Sequence, residues 1–375
     1  EGLGEEILDG AEGAGDAIPI WGHANKGVEV KVTLGGVTKT TVANDLQQWA
    51  VEFPALEASV KPITLNVESS HDLSRTVNNI LVGDVWYLTG STMLNGEMAY
   101  NSRDQDAEIP QALPIVREFR RKTSASTSAT PRKRKFETGG GKYRSSWMAA
   151  DFSVADQGVT MFAYHFAKTL NRKGIPQGFI TMSSGRGGGA QQMASPLSWT
   201  AFKGVKEIDR PEFQARLDEL FMQFPNTAVA QKAADKHLKE VKSFAMTIIA
   251  VDRQNKDLAK AAPLAGPAFP EAGKSSEIKA DTIPTYAYNW CVSPMTPMAV
   301  AGVIWIPSDY NIGYEPSHYA AELEIYANSL ASTYGQEKVK FIYAQPESSL
   351  VPDITIPKIL SKTSVPFSQW PKSLK

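Results

Sequence analysis

The sequence predicts an α/β fold, with a parallel sheet covered on both faces and a small antiparallel β-sandwich preceding it. The first observation is the run from Ile80 to Leu88, whose nearly continuous apolar residues are typical of a strand buried on both faces. The second is the alternation of further apolar strands with amphipathic helices after that run. The third is a series of short period-two strands with glycine turns between residues 17 and about 80.

The composition limits the classes of function. The 375 residues include 39 Lys plus Arg and 40 Asp plus Glu, so we expect no nucleic-acid partner. No apolar run reaches the roughly 18 residues that a membrane span needs. Cys291 is the only cysteine, which excludes an internal disulfide or a cysteine metal cluster. We expect neither a metal ion nor another cofactor.

The pattern divides the chain into three parts: a loose lead-in at 1–16, a β-sandwich domain at 17–79 and an α/β domain at 80–375. Residues 211–245 have a helical pattern broken by Pro225, which predicts a surface helical insertion in the α/β domain. Residues 117–146 are polar and basic. Such a segment could be a nuclear-import or nucleic-acid patch, but we interpret it as a solvated loop.

Two amphipathic helices are predicted in the α/β domain. Val159 to Lys173 places its apolar residues on one stripe, with Asp156 as a candidate cap. Ser317 to Tyr334 has a second stripe and Gly335 as its C-cap. Each helix precedes a predicted strand, so the helices are expected to cover the sheet.

The first candidate site residues follow the central apolar run. The run ends at Thr89-Gly90, and the hydroxyl residues Ser91 and Thr92 come next. Open α/β sheets place reactive groups at the carboxyl ends of their strands, where a hydrolase holds its nucleophile. The alternative is a strand that leaves the core through a polar turn, and these residues alone favour it.

A glycine-rich loop, residues 183–189, follows the strand predicted at Gly178 to Met182. Backbone N–H groups of such a loop can bind an anion. The loop lacks the Lys-Ser/Thr ending of a phosphate-binding P-loop, which excludes that mode of nucleotide binding. The more specific functional interpretation is that the loop forms an oxyanion hole, and the alternative is a flexible loop without a catalytic role.

Several stretches, taken in order, carry the motifs of one known family. Residues 18–24 resemble "VPVWGWA", residues 81–86 resemble "VLVGEVW", and residues 178–188 resemble "GLINSSWGGT". Residues 300–311 resemble "IRGVIWYQGESN". The chain thus resembles the sialate O-acetylesterase-like carbohydrate esterases of the SGNH (GDSL) hydrolase superfamily over residues 17 to about 345. This resemblance implies an SGNH-hydrolase-like α/β/α sandwich, an acetylated glycan as ligand, and export to the periplasm or the cell exterior.

The resemblance also assigns candidate catalytic residues, although the family motifs are altered at these positions. Without gaps, Thr92 lies at the nucleophile of the motif "SGQSNM", whereas deleting one residue places Ser91 there. Gly185 or Gly187 corresponds to the oxyanion donor of the glycine loop. Asn311 is retained as a residue lining the site, and Asp309 replaces the family's Glu.

The general base is missing from its family position. The family ends its site with Asp-x-x-His, but residues 353–358 read DITIPK, and no histidine follows the last predicted strand. His318, at the start of a helix, is the remaining candidate. A serine hydroxyl without a base is a poor nucleophile near neutral pH. We therefore expect a catalytically impaired esterase that binds glycan or acts as a structural or assembly subunit, with protein partners or as a homo-oligomer. The alternative is an active carbohydrate O-acetylesterase that uses Ser91 or Thr92.

Overall fold

The structure of the chain is a computed structural model. The residues that it describes are 7–9, 17–70, 74–90, 112–120, 146–151, 159–170, 174–183, 195–201, 205, 211, 239, 243, 285, 287–307, 316–345 and 364–366. Within them the protein is mixed α/β and mostly sheet, which confirms the predicted fold class at that level. The strands are β1 Ile7–Asp9, β2 Ile18–His23, β3 Glu29–Leu34, β4 Val37–Val42, β5 Gln48–Phe53, β6 Ser59–Ser69, β7 Ser74–Gly90, β8 Leu113–Arg120, β9 Ser146–Ala150, β10 Gln177–Ser183, β11 Gly302–Ile306, β12 Lys340–Gln345 and β13 Ser364–Pro366. The helices are α1 Met161–Leu170 and α2 Pro316–Tyr334.

The strands β2 to β6 pair antiparallel with one another, as their period-two pattern predicts. β3 pairs with β4 and β6, and β2 pairs with β5 in a separate two-stranded ribbon. Val30, Val32 and Leu34 alternate inward on β3 and join a hydrophobic cluster with Trp49 and Phe53 of β5. The ribbon and the β3–β4–β6 sheet therefore share one small core.

Strand β7 belongs to both parts of the molecule. Its first half pairs antiparallel with β6, and residues 84–90 form the centre of a parallel sheet. The predicted domain boundary at 79–80 thus falls inside one continuous strand. Asn79 has a positive φ of 59°, and the Arg117 guanidinium donates to both its carbonyl oxygen and its side-chain oxygen. Arg117 therefore fixes the backbone where β7 passes from one pairing to the other.

The parallel sheet has the order β13-β12-β11-β7-β10-β8-β9, with β9 antiparallel to its neighbour β8. Three of these strands lie outside the elements expected from sequence: β8, β9 and the short β13, which follows the proline-containing segment after residue 346. The strand β1, inside the predicted loose lead-in, pairs parallel with residues 81–83 of β7.

The two helices pack on opposite faces of this sheet. The apolar stripe of α1, which includes Phe162 and Ala163, packs against Trp86 and Leu88 of β7. The stripe of α2, which includes Leu323, belongs to the cluster that contains the other face of β7. Both helices and the covered faces were thus predicted correctly. The helix predicted from residue 159 begins at Met161, while the predicted cap Asp156 and nearly all of the 211–245 insertion lie outside the described residues.

The segment 117–146 differs from the predicted solvated loop at its start. Residues 117–120 complete β8, and the side chains of Arg117 and Glu118 are buried. Burial of these charged groups is tolerated because each makes several hydrogen bonds. Residues 121–145 lie outside the described residues.

Candidate functional site

Three parallel strands end side by side at the centre of the sheet. Gly90, the last residue of β7, is in register with Ser183 at the end of β10 and with Ile306 at the end of β11. β10 and β11 flank β7 on opposite sides, so the chain crosses over β7 between them. Such a crossing creates a crevice at the carboxyl ends of the strands, which is where open α/β sheets bind their ligands.

The sequence candidates follow these strand ends directly. Each begins a segment that lies outside the described residues: Ser91 and Thr92 after β7, Gly185 and Gly187 after β10, and Asp309 and Asn311 after β11. The topology therefore brings the starts of all three segments to one edge of the sheet, whereas their side-chain geometry stays a prediction.

Gly90 is required by the backbone at this edge. Its φ is 113°, and a Cβ added there would lie 2.1 Å from the carbonyl oxygen of Ile306. A side chain would thus collide with β11 in a conformation that L residues rarely adopt. The glycine lets β7 and β11 approach closely just before the hydroxyl residue Ser91.

Thr89 adds a buried hydroxyl one residue before that glycine. The side chain is fully buried, and among the described residues its Oγ1 has no hydrogen-bond partner. In register it lies between Met182 of β10 and Trp305 of β11. A buried polar group without a partner is rare, and such groups concentrate at functional sites and at ordered waters.

A polar cluster lies beneath the α2 side of this edge. The Trp305 indole donates to the Tyr319 hydroxyl at 2.8 Å, and the Ser195 hydroxyl donates to the buried carboxylate of Glu322. Burial raises the pKa of the Tyr319 phenol, and the nearby Tyr343 and Glu322 raise it further, against the lowering effect of the Trp305 hydrogen bond. Tyr319 is therefore neutral, and Glu322 ties α2 to the chain that leaves the glycine loop.

The remaining candidate base, His318, lies at the start of α2. His318 belongs to the first turn of the helix and directly precedes Tyr319, which contacts Trp305 near the end of β11. The role of His318 as a base stays a prediction. Among the other histidines, His165 is buried on α1 against Tyr164, and His23 lies on the distant β2.

Glu118 is a second buried carboxylate near this edge, on the α1 side. It accepts hydrogen bonds from the backbone and the hydroxyl of Thr160 and from the hydroxyl of Thr181. Thr160 precedes α1, and its hydroxyl accepts from the backbone N–H of Ala163 at 3.3 Å, as a helix cap does. The three donors satisfy Glu118, so its role in the described structure is to hold the start of α1.

Sequence reasoning missed Ser195, Glu118 and Glu322. Glu322 lies three residues after Tyr319 and four before Tyr326, so an acid on an apolar helical stripe was the available signal. In the part of the chain that the structure describes, no group of three or more His, Cys, Asp or Glu side chains could hold a metal ion. Within the same part, no helix is long and apolar enough to cross a membrane.

No family model and no curated protein matches the chain. Among solved structures, it is similar to a carbohydrate acetylesterase from Xanthomonas citri, with a TM-score of 0.59 and 19% identity. The match covers 92% of this chain and 59% of that protein, so the chain spans less than two thirds of its length. At this identity the similarity concerns the fold, which is carbohydrate-esterase-like. A cycloisomaltooligosaccharide glucanotransferase from Paenibacillus aligns with a TM-score of 0.17, which is too low to bear on the fold.

Proposed function

We propose that the chain binds acetylated carbohydrate at the carboxyl edge of its parallel sheet and hydrolyses it poorly or not at all. The observation that carries this proposal is the register of Gly90 with Ser183 and Ile306, the last residues of the three strands that precede the candidate residues in the chain. The carbohydrate-esterase-like fold and the SGNH-hydrolase resemblance of the motifs support a carbohydrate ester as the ligand. Fold alone does not fix activity, so the catalytic residues decide the rest.

The missing base is the reason for expecting little turnover. Ester hydrolysis by Ser91 would need a group that takes the hydroxyl proton as oxygen attacks the acetyl carbonyl. Residues 346–375 contain no histidine, so the segment 353–358, DITIPK, lacks the family's terminal His after Asp353. Loss of one triad member lowers the rate by orders of magnitude and leaves binding and oxyanion stabilisation.

The second candidate is an active carbohydrate O-acetylesterase. It is favoured by the sequence position of His318 in the first turn of α2, directly before Tyr319, whose hydroxyl accepts from Trp305 of β11. In that mechanism His318 accepts the proton of Ser91 or Thr92 as the hydroxyl oxygen bonds to the acetyl carbon, and it returns the proton to the sugar oxygen as the ester C–O bond breaks. Water then hydrolyses the acetyl-enzyme and releases acetate. Backbone N–H groups at Gly185 or Gly187 would then hold the oxyanion.

A matched set of variants separates the two candidates. Hydrolysis of a chromogenic acetyl ester is measured for the unchanged protein and for Ser91→Ala, Thr92→Ala and His318→Ala, beside binding of acetylated xylooligosaccharides by calorimetry. We expect binding without hydrolysis above background, and equal background in all variants. Turnover that falls by about a thousandfold or more in one of these variants would establish the active enzyme instead. Light scattering then shows whether the chain acts as an oligomeric assembly subunit.

A further inference from the structure

A cleft of about 440 Å³ lies away from the carboxyl edge, between the β2–β5 ribbon and the turn at residues 293–297. This turn precedes β11, whose five residues span about 13 Å from its start to the candidate edge. The cleft is therefore at the amino-terminal side of the sheet, where two parts of the molecule meet. Ligand sites of this size are common at such junctions.

The ribbon's register explains why the cleft is open. Trp21 is opposite Ala50 and His23 is opposite Gln48, so these four side chains share the outer face of the ribbon. Trp49 is opposite Gly22 and belongs to the sandwich core, with its ring lying against the glycine. Because Ala50 is small, it leaves space beside the larger ring of Trp21.

Polar contacts fix the walls of the cleft. The Trp21 indole N–H donates to the carbonyl oxygen of Pro297 at 2.8 Å, which ties the ribbon to the opposite turn. The side-chain oxygen of Asn44 accepts from the backbone N–H groups of Leu46 and Gln48. These bonds occupy the Asn44 oxygen and leave its NH₂ group as a donor for a ligand. The site is thus held in shape before anything binds.

The chemistry of the lining selects a neutral, hydroxyl-rich ligand. Among the described residues that line the cleft there is no Asp, Glu, Lys or Arg, so a charged ligand would find no opposite charge there. Amide, imidazole and hydroxyl groups of Asn44, Gln48, His23 and Thr296 surround the partly exposed ring of Trp21. A sugar ring offers C–H groups that pack on an indole and hydroxyls that pair with such neutral groups.

We propose that this cleft is a binding site for neutral carbohydrate, separate from the candidate ester site. Trp21 supplies the stacking surface, while His23, Asn44 and Gln48 supply hydrogen bonds to sugar hydroxyls. The proposal uses different residues from the proposed function and needs no acetyl ester. A failure of one therefore leaves the other intact.

The test uses the full chain and unacetylated cellotetraose, xylotetraose and mannotetraose as probes, with binding followed by calorimetry and tryptophan fluorescence. Tetragalacturonate and a proline-rich peptide serve as charged and peptide probes. Ala50→Tyr fills the cleft without removing a described hydrogen bond, and Gln48→Ala removes one amide. Thr40→Tyr places the same new ring on an exposed position of β4 as the matched control.

We expect at least one neutral tetrasaccharide to bind in a one-to-one complex. Ala50→Tyr should weaken binding at least tenfold and Gln48→Ala severalfold, while Thr40→Tyr leaves it unchanged. The proposal is overturned if no neutral tetrasaccharide binds at millimolar concentration, or if Ala50→Tyr binds as well as the unchanged protein. Preferential binding of tetragalacturonate or the peptide would also overturn it.

Discussion

Tyr319 and Tyr326 lie two turns apart on α2, and both are buried, but only one uses its hydroxyl in the described structure. The Tyr319 hydroxyl accepts from the Trp305 indole at 2.8 Å, whereas the Tyr326 hydroxyl has no hydrogen-bond partner there. Removing one partner of a buried hydrogen bond leaves the other unsatisfied and costs about 1–3 kcal/mol. Removing a hydroxyl that has no partner carries no such cost.

We therefore predict opposite results for one substitution at two positions. Tyr319→Phe should lower the free energy of unfolding by about 1–3 kcal/mol, because it leaves the buried Trp305 N–H without its acceptor. Tyr326→Phe should leave it unchanged or raise it by up to about 1 kcal/mol. Urea unfolding measures both, and each variant is the control for the other. Equal losses would contradict the assignment of these hydroxyls.

The burial of charged side chains could not be predicted from the sequence. The pattern of β8 places Glu118 next to Arg117 in a basic segment, which indicated a solvated loop. Its burial depends on Thr160 and Thr181, which are 42 and 63 residues away in the chain. A single sequence does not show that such distant donors converge on one carboxylate.

Gly90 and Gly335 end two elements with positive φ values of 113° and 67°, but their surroundings differ. Gly335 follows α2, and a Cβ built there meets nothing within 4 Å. At Gly90 the same atom would lie 2.1 Å from the Ile306 carbonyl oxygen. Position 335 requires only a residue that tolerates a positive φ. Position 90 requires this too, and it also requires that no Cβ is present.

We predict that Gly335→Ala costs about 1–2 kcal/mol of unfolding free energy, the usual penalty for a left-handed L residue. Gly90→Ala should cost more than about 3 kcal/mol, because β7 and β11 must also separate. Thermal unfolding compares the two alanine variants. Similar melting temperatures of the two variants would show that the Ile306 carbonyl oxygen of β11 leaves room for a methyl group at position 90.

Long apolar elements were predicted correctly because their pattern is local. The α1 stripe and the inward residues of β3 could be read from the spacing of apolar side chains alone. The three residues of β13 carry no such pattern, and they form a strand because Ser364–Pro366 pairs with β12. Strand pairing of this kind depends on the sheet that is already present.

At the scale of the whole molecule, the alignment of strand ends before the candidate residues could be expected from sequence, whereas the cleft beside the β2–β5 ribbon could not. Ser91 follows a strongly apolar strand, and the carboxyl end of such a strand is where α/β sheets hold their sites. The cleft instead depends on the β2–β5 register and on the contact of Trp21 with Pro297, 276 residues away. That contact arises from the packing of the ribbon against the turn before β11.

Buried tyrosines on the α2 side of the sheet make the free energy of unfolding depend on pH in the alkaline range. Burial raises the pKa of Tyr319, Tyr326 and Tyr334 above the ordinary value of 10, and neighbouring phenols raise that of Tyr334 further. Above about pH 10 these side chains lose protons in the unfolded chain but keep them in the folded one, so the free energy of unfolding falls as pH rises. Below about pH 9 both states are protonated, and these groups contribute no slope.

For each buried tyrosine the slope should become negative near pH 10 and approach about −1.4 kcal/mol per pH unit by pH 11. The comparison of the unchanged protein with Tyr326→Phe isolates one such contribution, because lysines that also titrate near pH 10 are common to both. Urea unfolding between pH 8 and pH 11 should therefore give free-energy curves that are parallel up to about pH 9.5 and diverge above it. The variant should become the more stable protein by about 1 kcal/mol per further pH unit. Curves that stay parallel to pH 11 would mean that Tyr326 reaches solvent and ionises in the folded chain.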